Sequence, residues 1–420
     1  MPNLNGTAAL LASLQSADLN VYPYRCAVVR NRHASCMRCA QACTSGAISL
    51  EEGAVCVDPE LCVGCGTCAT VCPTCALEAR HPADAELAVR AREALRACGD
   101  MLVVVCDSMW RRNADAIDPA RAVRVTCLGR VEESMLVEAA ARGAKRVLLA
   151  HGPCECCPRS PGMHTYAEVV DNANLLLQTW GSAARVEVRE KLPRCVRLAD
   201  PAMQAGPAFD DSRREAFSQV GHAVSAMLVP QGEDVAPAAA DPAARPSDPT
   251  EPAVRQARPG QPCPTAPGTL KSMLDGTLPH FLPDRRERLL DALAELGEPA
   301  CDVALETRLW GRVDIDVARC KTCLMCATFC PTGAIAKVEG SDGAVTLEHR
   351  PADCVKCRCC TDVCPTDALT LYEDVLASEV ACGSVTQSFE LPPIRDGRGG
   401  PHSMLGALKK IIRCDQLYER

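Results

Sequence analysis

Apolar runs of strand length alternate with apolar positions at helical spacing through the centre of the chain. "DMLVVVCDS", "AVRVTCLGR", "KRVLLAHGPCECC" and "ARVEVREK" each read as a buried strand. Between them "VEESMLVEAAARGA" repeats apolar residues three and four apart and ends at Gly143, and "TYAEVVDNANLLLQTWG" does the same before Gly181. Strand, helix, strand alternation predicts βαβ units and a parallel sheet. Shorter strand-like segments recur as a repeat at the two ends: "TSGAISL" against "PTGAIAK", and "PTCALEA" against "PTDALTL".

Elsewhere the pattern thins. "SRREAFSQVGHAVSAML", residues 212–228, has a serine N-cap and helical spacing, and predicts a short amphipathic helix. Residues 230–267, rich in Pro and Ala, cannot bury a core and predict an extended tether, with Cys263 a bystander. "TLKSMLDGTLPHFLPDRRERLLDALAELG" predicts two helices interrupted at Pro279 and Pro283. In the tail, "SFELPPIRDGRGGP" reads as a loop and "HSMLGALKKIIRC" as a basic amphipathic helix suited to packing on a partner.

A length of 420 residues with 47% apolar composition allows two to three domains with buried cores. A net charge of −8 without a basic stripe gives no footprint for nucleic acid. No uncharged apolar run approaches the roughly eighteen residues of a membrane helix, so no transmembrane segment is expected. Thirty cysteines, with no secretory leader pattern at the start, argue for a reducing interior where thiolates hold metal, and hence for a cytoplasmic protein.

The cysteines themselves are patterned. "RCKTCLMCATFCPTGAI" and "DCVKCRCCTDVCPTDAL" both follow CxxCxxCxxxCP, with Cys320, Cys323, Cys326, Cys330 and Cys354, Cys357, Cys360, Cys364. Near the other end "LCVGCGTCATVCPTCAL" repeats the spacing with Cys62, Cys65, Cys68 and Cys72. Its upstream partner, "RCAVVRNRHASCMRCAQACTSGAI", is irregular: Cys36, Cys39 and Cys43 fit, but His33 stands where the first thiol belongs. Cys26, which follows Arg25 as Cys320 follows Arg319, is the preferred first ligand, with His33 the alternative. Choosing Cys26 leaves nine intervening residues as a loop, expected to bulge out with Arg30 and Arg32 exposed as a docking surface. A zinc site or disulfide framework would need other spacings or an extracellular setting.

These doubled runs resemble bacterial dicluster ferredoxins, in which the fourth cysteine of each run ligates the cluster of the other. The resemblance implies four [4Fe-4S] clusters: on Cys26, Cys36, Cys39 and Cys72; on Cys62, Cys65, Cys68 and Cys43; on Cys320, Cys323, Cys326 and Cys364; and on Cys354, Cys357, Cys360 and Cys330. It also implies compact βαββαβ units near residues 19–80 and 312–372. Cys43 departs from the pattern in being followed by Thr44 where the other runs have proline.

In the middle, Cys106, Cys127 and the Cys154, Cys156, Cys157 group fall beyond the carboxyl ends of three strands, where parallel sheets place their chemistry. Thiols there could hold a fifth centre, [2Fe-2S], or could be small buried hydrophobes beside a redox-active CECC pair. From Leu102 to about Val188, "CLGR", an acidic helix, "RGAKRVLLA" and a cysteine-bearing turn make the segment resemble the delta-subunit family of methyl-viologen-reducing hydrogenases. That family implies a [2Fe-2S] site and electron exchange with a hydrogenase, a formate dehydrogenase or a flavoprotein-type subunit. The turn "AHGPCECCP" departs from the family, and Cys106, Cys127, Cys154 and Cys157 are the metal candidates here.

The expected fold is an α/β and α+β multidomain chain, two dicluster ferredoxin-like domains flanking a small parallel α/β domain. Its expected segments are 1–82, ferredoxin-like; 83–200, delta-subunit-like; 201–230, an amphipathic helix; and 231–268, the linker. A helical lead-in at 269–311, a second ferredoxin-like domain at 312–380 and a tail at 381–420 complete the chain. No dinucleotide fingerprint, Walker loop, HExxH or nucleophile elbow is present in the sequence. The expected function is electron transfer as a subunit of an anaerobic oxidoreductase, without catalytic residues. The alternative is a thiol- or cluster-dependent reductase of a disulfide or sulfur substrate.

Overall fold

A computed structural model describes residues 18–51, 54–198, 278–340 and 344–391. The helix and tether expected at 212–267, the helix before Leu278 and the basic tail helix lie outside the described residues.

In the N-terminal lobe, β1 (Leu19–Val21) pairs antiparallel with β4 (Leu77–Ala79), and β2 (Ile48–Glu51) with β3 (Ala54–Val57). Short helices α1 (Ala27–Arg30), α2 (Arg38–Gln41) and α3 (Thr67–Val71) fill the connections. Helix α4 (Asp84–Cys98) leads out, its buried Leu87, Ala91, Ala94 and Leu95 spaced for one helical face.

The centre is a four-stranded sheet of β5 (Met101–Cys106), β6 (Val123–Val125), β7 (Arg146–Ala150) and β8 (Arg185–Arg189), all parallel, in the order β6-β5-β7-β8. Helices α5 (Asp107–Arg112), α6 (Glu133–Ala141) and α7 (Gly162–Thr179) connect them. Leu102, Val103, Val104 and Val105 are wholly buried, as expected of a strand covered on both faces. Gly143 and Gly181 close α6 and α7 with positive φ, a conformation that costs glycine least.

The C-terminal part opens with α8 (Asp284–Leu296). Its Leu289, Ala292 and Leu293 join the core of the central sheet, so this helix packs with the centre as well as leading into the second lobe. β9 (Ala304–Glu306) precedes that lobe, in which β10 (Arg312–Ile315) pairs with β13 (Leu369–Tyr372), and β11 (Ile335–Glu339) with β12 (Val345–His349). Helices α9 (Met325–Phe329) and α10 (Cys359–Val363) occupy the connections, the order of the N-terminal lobe repeated. β14 (Asp374–Leu376) pairs back with β9, and α11 (Ala377–Cys382) comes after it.

Two expectations are corrected. The segment read as loop contains β15 (Gln387–Glu390), which extends the β11-β12 sheet. Its Phe389 stands opposite buried Leu347, an apolar anchor too isolated to read as a strand. The insert after Cys26 does not bulge outward with Arg30 on its surface. Arg30 is only 1% exposed and donates to the carbonyls of Phe329, Cys330 and Pro279, so the insert docks on the C-terminal lobe. Ala27, Leu278, Met325, Phe329, Cys359 and Val363 form the apolar seam between the lobes, which belong to one compact unit.

Candidate metal centres

The regular cysteine runs share one backbone course. In each CxxCxxC, the residues two and four after the first cysteine have positive φ: Gly64 and Gly66, Thr322 and Leu324, Lys356 and Arg358. That course turns successive thiols toward one point, and the four non-glycine residues hold it at a conformational cost. A short helix then carries the third cysteine and is capped at its C-terminus by the fourth. After the fourth, a further left-handed residue (Gly46, Cys75, Gly333 or Asp367) turns the chain back over the sulfur. The backbone N–H groups of Ala47, Ala76 and Ala368 donate to the sulfurs of Cys43, Cys72 and Cys364, each at 3.2 Å. A hydroxyl two residues on, from Ser45, Thr74, Thr332 or Thr366, lies 3.7 to 3.8 Å from the same sulfurs and that of Cys330. Thr44 in place of proline leaves this turn intact.

Four groups of thiols form. Burial pushes the Cys26 thiol up to about 12, and Cys72 and Cys36 add to the effect. Cys39 is raised by burial and then by Cys72, Cys26 and Cys36. Cys68 is held far above its ordinary value by burial and by Cys65, Cys43, Cys39 and Cys62. Burial also raises Cys326, with Cys323, Cys320 and Cys364 around it. For Cys360 burial is reinforced by Cys357, Cys354, Cys330 and Cys326. The structure thus brings together the four sets expected from crossing the fourth cysteines. His33 is exposed and accepts from Arg32 Nε at 3.3 Å, while Cys26 is buried among the thiols.

Four buried thiols crowded together resist ionisation unless a polycation draws off their protons. The grouped thiols of each set and the N–H donors aimed at sulfur suit thiolate ligands of an iron-sulfur cluster. Cys43, Cys62, Cys65 and Cys68 line one small cavity, and Cys330, Cys354, Cys357 and Cys360 another.

A third small cavity lies at the carboxyl ends of β5, β6 and β7 and is lined by Cys106, Cys127, Cys154 and Cys157. Met109 and Gly152 N–H groups donate to Cys106 sulfur at 3.4 and 3.3 Å. Cys154 sulfur lies 3.5 Å from His151 Nδ1 and 3.8 Å from the Tyr166 hydroxyl. Cys156 points out to solvent and takes no part. Burial pushes Cys127 up to about 12, and the thiols acting on it include Cys65 of the N-terminal lobe as well as Cys157 and Cys106. The N-terminal lobe and the central domain approach this closely because Gly129 has no side chain: a Cβ there would meet Thr67 Oγ1 at 2.5 Å, and one on Gly162 would meet Cys127 sulfur at 2.8 Å.

Residues 319–368 match the 4Fe-4S dicluster domain family and residues 55–78 the 4Fe-4S binding domain family. Residues 97–196 match the family described as methyl-viologen-reducing hydrogenase, delta subunit. The chain carries iron-sulfur domains around a hydrogenase delta-subunit-like region. No curated protein and no solved structure matches it. The 4Fe-4S matches indicate [4Fe-4S] clusters and an iron-sulfur electron-transfer role. Among the described residues no helix is long and apolar enough to cross a membrane.

Two arginines beside the thiol sets were not legible beforehand. Arg285 donates to the carbonyls of Ala69, Thr70 and Cys72, and also faces Glu132 at 3.6 Å. Arg286 donates to the carbonyls of Leu309 and Cys354 and lies over the Trp310 ring. Only their position in an arginine-rich helix, "DRRERLL", hinted at contacts beyond solvent. Of the cysteines without an expected role, Cys75 and Cys359 are buried, Cys56 and Cys195 half-buried, and Cys301 exposed.

Proposed function

We propose that this chain is a single electron wire of five iron-sulfur sites: one [2Fe-2S] site in the central domain and four [4Fe-4S] sites in the lobes. Each bound cluster supplies a one-electron store, and the protein sets its spacing, potential and insulation from water. The observation that carries this reading is the unbroken succession of neighbouring thiol sets. Cys127 of the central cavity feels Cys65. Cys68, in the set with Cys65, feels Cys39 of the next set. Cys36 of that set and Cys357 flank the apolar seam to the C-terminal lobe. Cys360, in the set with Cys357, feels Cys326 of the last. The ligand roles of Cys106, Cys127, Cys154, Cys157 and of the sixteen lobe cysteines are part of this proposal, with Cys26, not His33, in the first set.

The two ends of the wire are then the central cavity and the set of Cys320, Cys323, Cys326 and Cys364. The delta-subunit likeness supports exchange at the central end with a hydrogenase-type, formate-dehydrogenase-type or flavoprotein-type subunit. Iron and acid-labile sulfide analysis of anaerobically purified wild type and Cys127→Ser tests the reading. About eighteen irons, falling to about sixteen in the variant with loss of a [2Fe-2S] EPR signal, is the expected result. About sixteen irons in both would remove the central site from the wire.

A further inference from the structure

The nine residues between Cys26 and Cys36, where the other runs have two, deliver one side chain across the seam. The Arg30 guanidinium reaches the carbonyls of Phe329, Cys330, Pro279 and Tyr24 at 2.8 to 3.4 Å and is 1% exposed. No carboxylate forms an ion pair with it among the described residues. The groups close to it that can carry negative charge are the thiols of Cys359, Cys330 and Cys357. From the other side, Arg286 is 6% exposed and contacts the Cys354 carbonyl at 3.4 Å. Its Nη1 is buried with no hydrogen-bond partner; no carboxylate forms an ion pair with it among the described residues, and Glu133 and Asp353 act on it less than Cys354 does.

A buried cation without a direct ion pair is unfavourable. Here two guanidinium groups converge on one thiol set, Cys330, Cys354, Cys357 and Cys360. By contrast, Arg285, beside Cys72, is balanced by Glu132. We propose that Arg30 and Arg286 are the built-in counter-charge of the cluster at Cys330, Cys354, Cys357 and Cys360, making it the first of the four [4Fe-4S] clusters to accept an electron. Cluster reduction adds one negative charge and no proton, so adjacent fixed positive charge favours the reduced form. The irregular spacing of the first run then has a purpose: it makes the electron acceptor of one lobe depend on docking of the other.

The inference rests on the wire reading, and one experiment separates the two. The full-length chain is purified anaerobically as wild type, Arg30→Gln and Arg30→Lys, assayed for iron, and titrated with dithionite under EPR at controlled potential. Arg30→Gln, with full iron, is expected to lower the reduced-to-oxidised ratio of one cluster at least tenfold at fixed potential, about 59 mV for a one-electron couple, leaving the other three in place. Arg30→Lys should keep most of the wild-type potential, because it retains the charge while losing the planar fork. An unchanged potential in Arg30→Gln, or an equal drop in Arg30→Lys, overturns the inference. Should Arg30→Gln fail to take up full iron, Cys330→Ser decides. The first signal to appear on reduction of the wild type must be the one the serine alters; a change confined to later signals also overturns it. A wild type with fewer than about sixteen irons would instead refute the wire itself.

Discussion

Cys26 and His33 compete for one ligand position, and cysteine spacing alone leaves both open. The structure separates them by burial: Cys26 sits among Cys36, Cys39 and Cys72, and His33 faces solvent. Cys26→Ser should lose about four irons and one EPR-active cluster, whereas His33→Ala should keep full iron and its potentials. A second residue carries a pH dependence. His349 is 1% exposed, and burial pushes its imidazole down to about 4. The unfolded chain binds that proton near pH 6.5 and the folded chain does not. Its contribution is therefore fully present above pH 6.5 and is lost as pH falls toward 4, by up to about 3 kcal/mol. In anaerobic thermal unfolding, His349→Leu should flatten this fall relative to wild type; parallel pH profiles would contradict it.

Elements were legible where a segment's own periodicity determined its fate. The four central strands bury continuous apolar runs, and α6 and α7 end at glycines with positive φ, so that part of the fold could be read directly. β9, β14 and β15 could not be, because three- and four-residue strands gain their meaning from partners far away in sequence. The polar joint was equally silent. Arg308 grips Glu133 through two contacts of 2.8 and 2.6 Å, and Asn172 donates to the same carboxylate at 3.1 Å. Glu133 is 2% exposed, so Glu133→Ala would strand a nearly buried cation and should cost about 3 to 5 kcal/mol in unfolding free energy. The glycines at the other joint predict a more selective defect. Gly162→Ala places a methyl against Cys127 and Thr67, and should weaken the central cluster's EPR signal while the lobes keep about sixteen irons.

At the scale of the whole molecule, the turn that gathers the first three thiols of each regular run is local and could be read from its spacing. How the two lobes sit was not legible: nothing in "AVVRNRHAS" says whether Arg30 faces solvent or another lobe. The answer lay in residues some 300 positions away, the carbonyls of Phe329 and Cys330 and the acceptor Asp362, which takes hydrogen bonds from Ser35 N and Oγ. On the proposed reading, docking turns two ferredoxin-type lobes and a central domain into one succession of sites.

That succession is tested most directly by low-temperature EPR of the fully reduced full-length chain, wild type against Cys26→Ser. If the first N-terminal cluster neighbours the one on Cys330, Cys354, Cys357 and Cys360, its loss should narrow and slow the relaxation of a C-terminal lobe signal by removing a magnetic neighbour. C-terminal signals identical in shape and relaxation, with those clusters fully present in both proteins, would contradict a continuous wire.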